Sequence, residues 1–154
     1  IEIASALHDI GKVGIRDEIL LKPGKLTKEE FEIMKTHSAL GGEMIEKFRK
    51  NKKSSFYDDC YDICMYHHER WDGRGYPEGL VGDAIPLSAQ VVSIADVFDA
   101  LVSKRVYKDA YAPEYAFDMI NNGECGVFSP KVLECFNFSR ADFLKMVAML
   151  NYSE

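Results

Sequence analysis

The chain has 154 residues, of which 47% are apolar and 29% charged, with a net charge of −6. That length can bury the core of one domain, and the acidic balance speaks against a DNA or RNA polymer as partner, which would need a basic face. The apolar runs are too short to cross a bilayer and no basic, apolar leader opens the chain, so a cytoplasmic protein with no membrane segment is expected.

Ile1 to Leu7 reads as the tail of a helix, followed by a loop from about Gly11 to Lys25. Thr27 with Glu30 three residues later is a capping box opening a helix near Lys28, and Leu40, Met44, Ile45 and Phe48 mark its apolar face. Tyr57, Cys60, Tyr61, Cys64, Met65 and His68 recur at the spacing of a second amphipathic helix. Cys60 and Cys64 therefore read as buried core thiols. From about Glu69 to Pro86 four glycines (Gly73, Gly75, Gly79, Gly82) and two prolines break the pattern, and a loop this long in a compact domain is usually functional. A helix from about Leu87 to Ser103 is apolar almost all the way round. Tyr115, Ala116, Met119 and Ile120 mark another, and Ser129-Pro130 reads as an N-cap with proline at the first helical position. Alternating β pattern is scarce, so the expected class is all-α, one domain over residues 1–154.

Two aspartates, Asp96 and Asp99, interrupt the apolar helix. A buried carboxylate costs several kcal/mol unless a cation or donors compensate it; a cap or salt bridge suits Asp99, and a metal suits Asp96. The histidines point the same way. All four (His8, His37, His67, His68) fall at helix ends or junctions, and His8 is followed by Asp9. Adjacent helical residues point about 100° apart, so His67 and His68 suit two neighbouring metals or a kinked terminus. Imidazole with carboxylate favours iron, manganese, nickel or zinc over magnesium.

His8-Asp9-Ile10-Gly11-Lys12 and the run from His67 through Gly75-Tyr76-Pro77 closely resemble the two signatures of the HD-GYP family, a branch of the HD phosphohydrolases that degrades cyclic di-GMP. The resemblance covers about Leu7 to Phe136. It implies a helical HD-domain bundle with a glycine-rich GYP loop, and two or three divalent metal ions, iron or manganese before nickel or zinc. It also implies His8, Asp9, His37, His67, His68 and Asp96 as metal ligands, Asp9 as the bridge, and Lys12 facing the phosphate or protonating the leaving oxygen. Arg105 and Lys108 would hold phosphates, the first through a planar fork and the second as a point charge. Gly75, Tyr76 and Pro77 would shape the rim, and Trp71 and Tyr76 would either stack on guanine or stiffen the loop. Such metals neutralise the phosphate and activate water for in-line attack.

The chain departs from the family pattern in Val106 for proline and Ser129 for aspartate. Family members also carry a further histidine upstream of the HD pair, so the N-terminal helix or helices are expected to be missing, with self-association, such as a homodimer, near Ile1 to Leu7. The expected product is linear pGpG, GMP or both. A diguanylate cyclase (GGDEF) domain is the expected protein partner. The alternatives are an HD phosphohydrolase of another nucleotide and a non-hydrolysing module that binds the cyclic dinucleotide or a cyclase.

Overall fold

The computed structural model describes residues 1–50, 54–104 and 109–151. The fold is all-α: α1 (Glu2–Ser5), α2 (Asp17–Leu20), α3 (Lys28–Arg49), α4 (Ser55–Tyr66), α5 (Leu87–Val102), α6 (Pro113–Asn121), α7 (Pro130–Phe138) and α8 (Arg140–Asn151). Among the described residues the only β feature is an isolated bridge between Asp72 and Val81. No helix among them is long and apolar enough to cross a membrane.

Local chemistry sets the helix starts. Thr27 Oγ1 accepts the Glu30 N–H at 3.2 Å while Glu30 Oε2 accepts the Thr27 N–H at 2.7 Å, so the capping box forms and opens α3. Proline occupies the first turn of α6 and α7, where its missing N–H costs nothing. Ser129 is the N-cap of α7, but its side chain makes no capping hydrogen bond.

Packing divides into two clusters that share α5. Ala4, Ile45, Cys60, Ile63, Cys64 and Val92 join α1, α3, α4 and α5, and the Cys60 and Cys64 thiols are buried as the helix spacing required. Phe98, Phe117, Phe136 and Val132 centre the second cluster, among α5, α6, α7 and α8. The functional residues stand at the edge of the first cluster, where α3 packs on both α4 and the turn Ile10–Gly14.

Four expectations need correction. The segment from Gly11 to Lys25 is not structureless: a 3-10 turn spans Ile10–Gly14 and α2 follows. The helix α5 is not buried all round, because Leu87, Val91 and Ala95 face out; Asp99 lies on that exposed surface and accepts a hydrogen bond from Ser103 Oγ. Phe48 and Tyr115, counted on apolar faces from spacing, are 66% and 50% exposed. Ile63 and Phe117, outside those counts, are fully buried and centre the true stripes.

Candidate metal centre

Three helices bring the histidines together. His8 follows α1 and His67 and His68 follow the last turn of α4, as expected of residues at helix ends, but His37 does not lie at a junction: it sits in the middle of α3, on the face turned toward α4 and the HD turn. The HD turn reaches α3 through glycine: a Cβ on Gly11 would lie 1.9 Å from the His37 carbonyl oxygen and 2.5 Å from the Gly41 nitrogen. Only a residue without a side chain lets the two backbones touch. On the other side, the Cys64 thiol donates to the Leu7 carbonyl at 3.1 Å, fastening α4 to the chain just before His8.

Backbone carbonyls aim three of the rings. Nδ1 of His8 lies 2.8 Å from the Ser5 oxygen, Nδ1 of His37 2.7 Å from the Met34 oxygen, and Nδ1 of His67 2.8 Å from the Ile63 oxygen. A carbonyl only accepts, so each Nδ1 carries a proton; the Nε2 atoms of neutral His37 and His67 present lone pairs, whereas the Nε2 of His8 donates to Asp9 when that ring is protonated. These Nε2 atoms converge. His37 Nε2 lies 3.4 Å from His67 Nε2 and 3.3 Å from Asp9 Oδ1. His8 Nε2 lies 3.2 Å from Asp9 Oδ2 and 3.8 Å from Asp96 Oδ1. Ligand atoms of His37, His67 and His68 all fall within 4.8 Å of one another.

The protonation states sharpen the picture. Burial pushes the His67 ring down to about 4 and lowers His37 and His68 as well, so these imidazoles are neutral near pH 7. His37 and His67 therefore face each other with two lone pairs and no proton to share. That arrangement repels itself unless a cation lies between, and carbonyl-tethered imidazoles of this kind are how proteins orient metal ligands. The donor set fits a divalent metal. Burial disfavours the Asp9 carboxylate, but hydrogen bonds from His8 and Lys12 outweigh it and hold Asp9 well below the usual carboxylate range. The hydrogen bond to Asp9 raises His8 in turn. Lys12 Nζ lies 2.5 Å from Asp9 Oδ2, which sets one cation at the mouth of the cluster.

Comparison with known proteins places the chain among HD domains. The HD domain family matches residues 1–132. A cyclic di-GMP phosphodiesterase of Thermotoga maritima is 48% identical over 136 residues, covering 88% of this chain and 36% of that protein. A cyclic di-GMP phosphodiesterase of Vibrio cholerae is 45% identical over 146 residues, 94% of this chain and 30% of its own length. A 3'3'-cGAMP-specific phosphodiesterase 2 of Vibrio cholerae is 41% identical over 150 residues, 97% and 28% respectively. This chain belongs to the HD domain family, in its HD-GYP branch. It spans about a third of the length of these relatives.

Within the HD domain the remaining predicted residues separate. Tyr76 is at the cluster, its ring stacked on His68 with centroids 4.6 Å apart and planes at 29°. Trp71 makes no ring contact with the histidines among the described residues and lines a groove of about 400 Å³ with Ile85, Leu87, Gln90, Pro130 and Lys131. Gly75 presses on the backbone of Glu69 and Arg70, where a Cβ would come within 2.4 Å. Pro77 is exposed on the loop. Arg105 and Lys108 lie outside the described residues.

Two charged residues lie inside the second signature, but their spacing assigns them no role, because a Glu-Arg pair beside glycines reads as solvated. Glu69 is 2% exposed, and its carboxylate accepts N–H groups from Glu78, Gly79 and Leu80. Arg70 donates to the carbonyls of His67 and Glu69 and to Ser93 Oγ, with its guanidinium over Phe128. It thereby ties the end of α4 to α5.

Proposed function

We propose that this HD domain hydrolyses the phosphodiester bonds of cyclic di-GMP, giving linear pGpG, GMP or both, with two or three divalent first-row metal ions, iron or manganese before nickel or zinc. The observation that carries the reading is the convergence of tethered, neutral imidazoles on Asp9, with His37 Nε2 between His67 Nε2 and Asp9 Oδ1. His8, Asp9, His37, His67, His68 and Asp96 would hold the metals. When bound, these would neutralise the phosphate and provide a water nucleophile at neutral pH.

The protein's own groups divide the rest of the work. Lys12, paired with Asp9, stands where it can neutralise a phosphate oxygen or give its proton to the departing ribose oxygen. Asp9 keeps that ammonium in place. Arg105 and Lys108 are proposed to hold the ligand's phosphates. Tyr76 has one face of its ring committed to His68, so its share in substrate binding is at the rim, with Gly75 and Pro77. The exposed Arg74, Pro77 and Glu78 offer a GGDEF domain a surface on the same loop, and the exposed Ile1 and Ile3 offer one for self-association. A cytoplasmic site of action goes with a nucleotide substrate.

A second reading is a related cyclic dinucleotide, favoured by the 41% identity to a protein named as specific for 3'3'-cGAMP. Turnover of cyclic di-GMP, 3'3'-cGAMP and cyclic di-AMP by the metal-loaded protein, with Asp9→Ala as control, tests both. Faster turnover of 3'3'-cGAMP supports the second reading. Tight binding of cyclic di-GMP with no turnover by the loaded protein would replace hydrolysis with the role of a binding module.

A further inference from the structure

His8, His37 and His67 are each aimed by a backbone carbonyl, but His68 is not. Among the described residues no hydrogen bond engages either of its ring nitrogens, and what fixes the ring is contact. Tyr76 covers one face at 4.6 Å, the edge of His37 lies at 5.0 Å and His67 at 4.0 Å between centroids. The tyrosine is thus the one neighbour of His68, among these rings, that comes from outside the histidine cluster. Its own position depends on the loop. The Tyr76 N–H donates to the His68 carbonyl at 3.3 Å, and the next turn of chain is held by Glu69, whose Oε1 accepts from Glu78 at 2.8 Å and Gly79 at 3.1 Å while Oε2 accepts from Leu80 at 3.0 Å.

We propose that Glu69 is a positioning residue for the metal centre: by gathering three loop amides on one buried carboxylate it holds Tyr76 against His68 and so aims the one imidazole that no carbonyl orients. This rests on the reading of His68 as a ligand. Three charge-assisted hydrogen bonds to one carboxylate are strong individually and rigid together. Burial leaves that carboxylate no water to exchange them for. Glutamine is a sharp perturbation, since it keeps one acceptor oxygen and turns an NH2 toward a backbone donor, leaving that N–H opposed.

The test uses the metal-free intact protein with 13C-labelled histidine, and zinc ion against a chromophoric chelator. Stacking under Tyr76 shifts the His68 ring resonance upfield. In Glu69→Gln that shift is expected to collapse and zinc affinity to fall roughly 10- to 100-fold, the usual cost of losing a partner behind a ligand. Tyr76→Phe retains both shift and affinity, whereas Tyr76→Ala loses both. A folded Glu69→Gln protein with the shift and the affinity of the parent overturns the proposal. Should that variant fail to fold, Tyr76→Ala decides, and zinc affinity within about twofold of the parent overturns it. His37→Ala separates the two levels: unchanged zinc binding there defeats the metal reading itself, while the ring shift continues to report on Glu69.

Discussion

Replacing Gly11 by alanine should pull the site apart without altering any of its functional side chains. The added Cβ would meet the His37 carbonyl oxygen at 1.9 Å, the His37 carbonyl carbon at 2.9 Å and the Gly41 nitrogen at 2.5 Å, all backbone atoms of α3. Backbone cannot rotate aside as a side chain can. Because contacts under 3.0 Å essentially never occur, the turn and α3 must separate by about 1 Å. That separates His8 and Asp9 on the turn from His37 on the helix, and metal sites tolerate only about ±0.2 Å in ligand distance. Overpacking of this kind costs about 1–3 kcal/mol of stability. Gly11 has no positive φ, so the effect is steric and not conformational. Two further glycines serve as controls. Gly14→Ala would meet only the Leu40 side chain at 2.9 Å, which can shift, and Gly24→Ala meets nothing within 4 Å; the latter should be neutral or gain up to about 1 kcal/mol through the unfolded chain. Urea denaturation of the metal-free protein and zinc titration would be run on all three variants. A Gly11→Ala protein as stable as Gly24→Ala, with zinc affinity equal to the parent, would refute the account of how the turn is seated.

How much of this was legible in the sequence depended on whether a residue's role is local. The capping box at Thr27 and the N-terminal prolines of α6 and α7 involve neighbours in the chain, and each could be read directly. His8-Asp9 and His67-His68 were legible as a candidate site because imidazole and carboxylate at helix junctions are costly to place without a function. The contact of Gly11 with Gly41 was not, although two glycines inside α3 are a hint: each costs about 1 kcal/mol of helix propensity, which asks for a packing reason. Glu69 was illegible because its burial is created by a loop that folds back over it. Spacing also misjudged Phe48 and Tyr115, since a helical stripe fixes which residues share a face but not how far the neighbouring helices extend to cover them.

The remaining predictions address chemistry. Arg105→Ala should weaken cyclic di-GMP binding with metal content intact, whereas Asp9→Ala should abolish both metal loading and turnover; equal metal loss in the two, measured by elemental analysis, contradicts the roles assigned. Burial raises the Cys64 thiol to about 12 and raises Cys60 too, while Cys135 is exposed, so a thiol reagent should label Cys135 in the folded protein and reach Cys60 and Cys64 only on denaturation. Rapid labelling of Cys64 in the native state would mean that α4 is not held against Leu7 as described. The metal-free protein should also lose stability on mild acidification. His37, His67 and His68 are held below the usual value of 6.5 by burial, His67 at about 4. In the unfolded chain they bind protons near pH 6.5, so between that pH and the folded value the unfolded state carries more protons and stability rises with pH. Each such histidine contributes a slope of at most about 1.4 kcal/mol per pH unit. Their contribution is fully present above pH 6.5 and is lost as the pH falls through their lowered values. His8 has the opposite sign, because its ring is raised by Asp9. Its contribution is full below pH 6.5 and fades as the pH climbs through its raised value. Three lowered rings against one raised ring leave the metal-free protein less stable at pH 5 than at pH 7. Urea midpoints at the two pH values measure the difference, and a midpoint that holds or rises at pH 5 would show that these imidazoles are not buried as neutral rings.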